Sequence, residues 1–133
     1  KEVGIETEIQ LEEFGIFVNR WREHDFDAYI SVTAHYPDPD FGLYRTFHTD
    51  GSANVHAYSN PDLDALLEQG RTSMDPAERG RIYQDVQKLI AEDAPFVFLV
   101  AENQYRVMQP TVKGFEHVPT GSIVYLREAW LDQ

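Results

Sequence analysis

The residues of this chain that could do chemistry are five histidines, two close acidic pairs and two glycine–serine steps. His24, His35, His48, His56 and His117 invite a metal reading. None of them stands at the i, i+4 spacing of a helical zinc site, and the HExxH pattern is absent, so scattered surface histidines are the expectation. His48 and His56 flank a polar loop and could meet across it. Asp25/Asp27 and Asp38/Asp40 could in principle hold a cation or work as acid and base. A calcium loop needs denser oxygen ligands, a glycine at its sharp turn and a closing glutamate, which these stretches lack. Solvated loop charges are the preferred reading. Gly51-Ser52 and Gly121-Ser122 lack the GxSxG frame of a nucleophile elbow, and no glycine-rich phosphate loop follows an early strand. With no cysteine in the chain, disulfides, thiolate metal sites and thiol nucleophiles are excluded. Neither catalysis nor a metal or other cofactor is expected.

What remains is binding. His35 and Tyr36 lie on a stretch, Ala34-His35-Tyr36-Pro37-Asp38-Pro39-Asp40, that two prolines bar from strand or helix interior. A stiff loop carrying polar and aromatic groups suits a binding cleft, because rigid side chains lose little entropy on contact. Trp21 and Tyr29 sit inside periodic elements and are read as core. Tyr44, Phe47 and Tyr58 are further aromatics available to such a cleft.

These groups must be positioned by elements, and the clearest ones lie between Asn54 and Leu99. Asn60-Pro61 and Asp75-Pro76 are cap–proline starts, in which the side chain accepts from a free N–H and proline fills the first helical position. Leu63, Leu66 and Leu67 share one face of the first helix. Ile82, Tyr83, Val86, Leu89 and Ile90 form an apolar stripe on the second, which Ala94-Pro95 stops. Phe96-Val97-Phe98-Leu99-Val100 reads as a fully buried strand.

Upstream, residues 4–10 alternate like a half-exposed strand. Residues 11–22 read as a helix with Phe14, Phe17, Val18 and Trp21 on one face, and residues 26–32 as a second strand. Strand, helix, strand makes a parallel βαβ unit, which places the 34–40 loop at a strand's carboxyl end, where α/β ligands lie. Residues 41–47 read as a short helix and 48–53 as a polar loop. Residues 105–108 and 112–118 read as extended, 119–122 as a turn and 123–126 as a short strand, with Trp130 a late apolar anchor. The expected class is α/β, a βαβ start followed by a helix pair packed on a mixed sheet.

At 133 residues the chain is expected to be one domain. A net charge of −12 argues against nucleic acid and against anionic lipid as partners. The opening Lys1-Glu2-Val3-Gly4 already enters a strand, so a fragment of a longer protein is expected.

The pattern Asn54-x-x-x-Tyr58-x-Asn60-Pro61-x-x-Asp64, followed by Leu66-Leu67, Arg71, Asp75, Arg79, Tyr83, Gln87 and Asp93-x-Pro95, resembles a known family. It is similar to the carboxy-terminal lobe of the peptide/nickel-type extracellular solute-binding proteins of ABC importers. Asp25-Phe26-Asp27, the Tyr36-Pro37-Asp38-Pro39-Asp40 loop, Val112-Lys113-Gly114-Phe115 and Trp130 match in order. The resemblance implies the periplasmic-binding-protein-like (type II) fold and a second, amino-terminal lobe. It also implies a non-enzymatic protein, anchored outside the cytoplasmic membrane, that passes a small solute to permease subunits. Residues 110–133 would return toward the other lobe. His35, Tyr36, Asp38, Asn54 and Tyr58 are the implied ligand-side residues, with Asn54 and Tyr58 equally readable as a structural turn. In peptide binders the matching loop carries a tryptophan and an aspartate that pairs with the peptide's amino terminus. Val32 and His35 stand there instead, and an imidazole cannot replace a carboxylate as partner of an ammonium. Peptide, sugar or another solute therefore stays open. The alternative is a standalone interaction domain using the helix-pair face.

Overall fold

The computed structural model describes residues 4–32, 36–101, 103, 105–116 and 123–132. The chain divides into two compact units, residues 1–31 and 32–133.

The first unit is built on α1 (Phe14–Glu23). Glu13 caps it, its carboxylate accepting from the N–H groups of Gly15 and Ile16. His24 ends it in the left-handed region at φ 59°, with Arg20 and Arg22 in the last turn, where cations favour the negative helix end. The helix therefore starts at Phe14, behind the Glu13 cap, and not at the expected position 11. Phe17 and Phe26 both meet the edge or face of Tyr29. Residues 5–10 and 26–32 join no ladder, which corrects the expected βαβ pairing. A strand exists only with a hydrogen-bonded neighbour, and neither segment meets one among the described residues. Ile5, Ile9 and Ile30 accordingly remain exposed.

The second unit holds three helices, α2 (Pro39–Phe47), α3 (Pro61–Thr72) and α4 (Pro76–Asp93). All three begin the same way. Asp38, Asn60 and Asp75 accept from first-turn N–H groups, and a proline follows each. Pro39 is thus a helix start, and α2 begins two residues before the expected position. Leu63, Leu67 and Val86 are fully buried, and Phe47, Tyr83 and Ile90 nearly so; together they form one core. Its lid comes from α2 and from half-buried Leu43, Tyr58, Leu66, Leu89 and Phe96.

The strand expected at 96–100 does not form. Val97, Phe98, Leu99 and Val100 are 64–88% exposed and unpaired, although Phe96 packs edge-on against Phe47 at 5.5 Å. Among the described residues no second strand lies alongside this segment to form a ladder. The sheet among the described residues is small and antiparallel, β1 (Val112–Lys113) against β2 (Trp130–Leu131), with Lys113 opposite Trp130. Gly114, at φ 70°, ends β1; a Cβ there would lie 2.2 Å from the Glu128 carbonyl oxygen. Residues Ile123–Glu128 form a 3₁₀ helix where a strand was expected over 123–126, since among the described residues no neighbouring strand offers them a ladder. Trp130 is half-exposed, so it does not serve as a buried anchor. The turn expected at 119–122 lies outside the described residues. The overall class is the expected mixed α/β one.

Candidate ligand-binding site

The loop that precedes α2 is fixed from below by two arginines. Asp38 receives both terminal nitrogens of Arg79, Nη1 at 3.0 Å and Nη2 at 2.7 Å, while capping α2 through the Asp40 N–H at 2.8 Å. The Arg79 fork and the Asp40 N–H hold its carboxyl below the ordinary carboxylate range. Arg79 also donates through Nε to the Gly70 carbonyl at 2.9 Å, and its guanidinium lies over the Tyr83 ring. Asp40 accepts from Arg71 at 3.2–3.3 Å, and Arg71 stacks 3.4 Å above the Tyr44 ring. Tyr44 donates to Glu68 and stacks on His48 at 4.2 Å. Asp38 and Asp40 are therefore ion-paired, not the solvated loop charges expected of them.

Tyr36 leans on α2. Its ring meets Phe41 at 4.8 Å, and a Cβ on Gly42 would come within 2.8 Å of its Cδ2. It stays partly open to solvent. His35 lies outside the described residues.

Asn54 and Tyr58 form a second, separate arrangement. The Asn54 amide donates to the carbonyls of His48, Thr49 and Tyr58, and its oxygen accepts the Tyr58 N–H. Both ends of that amide are used in folding residues 48–58 back on themselves. The Tyr58 hydroxyl donates to Asp93 at 2.5 Å, and Asn60 donates to the same oxygen at 2.6 Å. Burial, with the Asp93 charge, pushes Tyr58 up to about 12. The hydrogen bond from Tyr58, helped by that from Asn60, pulls Asp93 down.

The histidines part company. His48 accepts the Asp50 N–H at Nδ1, leaving Nε2 toward Glu68 and Asp64. His56 packs among Phe47, Tyr58 and Phe96 with both ring nitrogens buried and unpartnered, and burial lowers its pKa. Among the described residues no three of His, Asp or Glu are grouped to hold a metal ion. A shallow depression of about 260 Å³ opens beside the clamp, lined by Pro39, Met74, Pro76, Arg79, Gly80 and Tyr83.

Arg79 and Arg71 are visible in the sequence only as spaced motif positions, and Tyr83 as one of these and as part of the apolar stripe of α4. The available signal was two aspartates flanking a helix-starting proline, which need cations somewhere.

No family model matches the chain. Individual proteins do. The chain is 34% identical over 103 residues to Protein XP55 of Streptomyces lividans, covering 74% of this chain and 18% of that protein. It is 25% identical to the oligopeptide-binding protein AppA of Bacillus subtilis over 134 aligned positions, covering 98% of this chain and 25% of AppA. The solved structure of AppA in complex with a nonapeptide superposes with a TM-score of 0.86 at 25% identity, over 99% of this chain and 27% of that one. The periplasmic binding protein DppA of Helicobacter pylori, solved with the peptide STSA, shares the fold at a TM-score of 0.76 and 23% identity, over 99% of this chain and 27% of that one. In sequence and in structure the chain resembles the peptide/nickel-type extracellular solute-binding proteins, and its fold is theirs. It spans about a quarter or less of the length of the curated relatives just named.

Proposed function

We propose that this chain is the carboxy-terminal lobe of a solute-binding protein that captures a small solute, a peptide or a related molecule, for an ABC importer. The observation that carries this reading is the superposition of nearly the whole chain on AppA, whose structure holds a nonapeptide. The protein works by binding, without covalent chemistry, and its place is the periplasm or the outer face of the membrane. The missing partner is an amino-terminal lobe, and the solute lies between the two before passing to permease subunits. On this side of the cleft, His35 and Tyr36 face the solute, Asp38 fixes their loop, and Asn54 and Tyr58 shape the neighbouring one. Because His35 stands where a carboxylate is expected, a peptide with a blocked or otherwise uncharged amino end suits the site better than one with a free ammonium.

Thermal unfolding of the full-length protein against peptides, sugars and metal complexes tests this. A ligand that binds only the native state raises the melting temperature by mass action. A saturable rise with one class, lost in a folded Tyr36→Ala protein, is the expected result. No rise with any class, together with tight capture of a protein, would overturn the importer reading in favour of an interaction domain.

A further inference from the structure

We infer that Arg79 is a positioning residue for the ligand loop: acting through Asp38, it ties Tyr36 and the start of α2 to the α3–α4 pair. The inference rests on the proposed reading in which Tyr36 contacts the solute.

One guanidinium here joins three helices. Its Nη1 and Nη2 take both oxygens of Asp38 at the head of α2, its Nε takes the Gly70 carbonyl of α3, and its own stem belongs to α4. The Gly70 contact depends on close helix approach, since a Cβ at Gly70 would stand 2.8 Å from the Tyr83 ring. Asp38 in turn serves two partners with one oxygen, Oδ1 accepting from the Asp40 N–H and from Arg79. The cap and the clamp are therefore a single object. Two residues upstream, Tyr36 takes its place from Phe41 and Gly42 in the first turn of the helix so held. Moving the head of α2 moves Tyr36 with it.

An isolated surface ion pair contributes little. This one differs in being bidentate and in sharing its cation with a backbone carbonyl, so its effect is on geometry more than on stability. Lysine could supply the charge but not the fork. Asparagine at position 38 could cap the helix but not hold the charge.

The test uses Arg79→Lys and Asp38→Asn in the full-length protein, with two readouts. Backbone hydrogen exchange follows the N–H groups of residues 40–47 in α2, beginning with the Asp40 N–H that Asp38 accepts; Pro37 and Pro39 carry none. Titration calorimetry uses a nonapeptide in free and amino-acetylated forms. Both variants are expected to exchange these amides several-fold faster while α3 and α4 keep their protection and the melting temperature barely moves. Affinity for whichever peptide binds is expected to fall about fivefold to tenfold. Unchanged exchange at residues 40–47 in both variants overturns the inference, whatever the calorimetry shows. If the parent protein binds neither peptide, the peptide form of the functional reading falls, and hydrogen exchange decides the role of Arg79 alone.

Discussion

Residues 36–94 and residues 96–108 both carry large apolar side chains and handle them in opposite ways. In the first stretch every large apolar stripe finds a facing one: Leu63 and Leu67 of α3 meet Val86 and Ile90 of α4, with Phe47 of α2 across the top. In the second, Val97, Phe98, Leu99, Val100, Tyr105 and Val107 stand 64–95% exposed. The helical block is closed on itself, while the segment after it offers apolar side chains and unpaired backbone that nothing among the described residues receives. A contiguous exposed apolar run marks a contact still to be made. The chain spans only about a quarter of AppA, so in the proposed function the receiving surface belongs to the rest of the protein.

The largest break in this comparison comes from the closed block. Leu67→Ala empties a site that is 0% exposed, and about 3–5 kcal/mol of stability is expected to go, measured by urea unfolding. A smaller loss would mean that α3 and α4 can collapse onto the space.

A second, smaller effect tests how the block is sealed at its polar margin. Tyr58 titrates at about 12 when folded against its ordinary 10. The folded protein holds this proton more tightly, so the Tyr58 contribution is complete below pH 10 and is lost as pH rises toward 12. Asp93 runs the other way. Its carboxyl is lowered in the fold, so its contribution is present above the unfolded value near 3.8 and disappears as pH falls below it. Stability measured across pH, with tyrosinate absorbance followed at the alkaline end, is expected to fall at both margins. In Tyr58→Phe the alkaline fall should shrink. An alkaline limb identical to that of the parent protein would assign the transition to another tyrosine.

These two regions were unequally legible. The α3 and α4 starts could be read because cap and proline are adjacent, and adjacency is local information. The same signal stands at Asp38-Pro39, but with Pro37 beside it a proline reads equally as a breaker, and only the structure shows Pro39 as the first residue of a helix. The arginine clamps were not legible, because Arg71 meets Asp40 from 31 positions away and Arg79 meets Asp38 from 41. Nothing in spacing says which acid such an arginine will choose. The strands failed for a different reason. Alternation at 5–10 and the continuous run at 96–100 report what the residues need, a neighbour and a cover, and a sequence pattern does not say on which part of a longer chain these lie. For the candidate site, the helix that carries the loop was recovered from sequence, whereas what holds it was not.

The smallest expected effect is the sharpest test of the contrast. Leu99→Thr removes an apolar side chain that is 64% exposed, so in this chain alone the change in stability is expected to stay within about 0.5 kcal/mol. Threonine is β-branched and favours strands at least as well as leucine, so a loss of stability reports lost burial and not a lost backbone preference. In the full-length protein the same substitution is expected to cost more, about 1–3 kcal/mol, because a covered leucine contributes by the apolar area it removes from water. The measurement is one pair of denaturant curves in each length of chain. A near-zero effect in both would mean that residues 97–100 remain exposed even in the complete protein, and the run would then have to be a surface for another molecule. A large effect in the short chain would mean that the segment already packs on the helical block in solution, and the contrast between the two regions would dissolve.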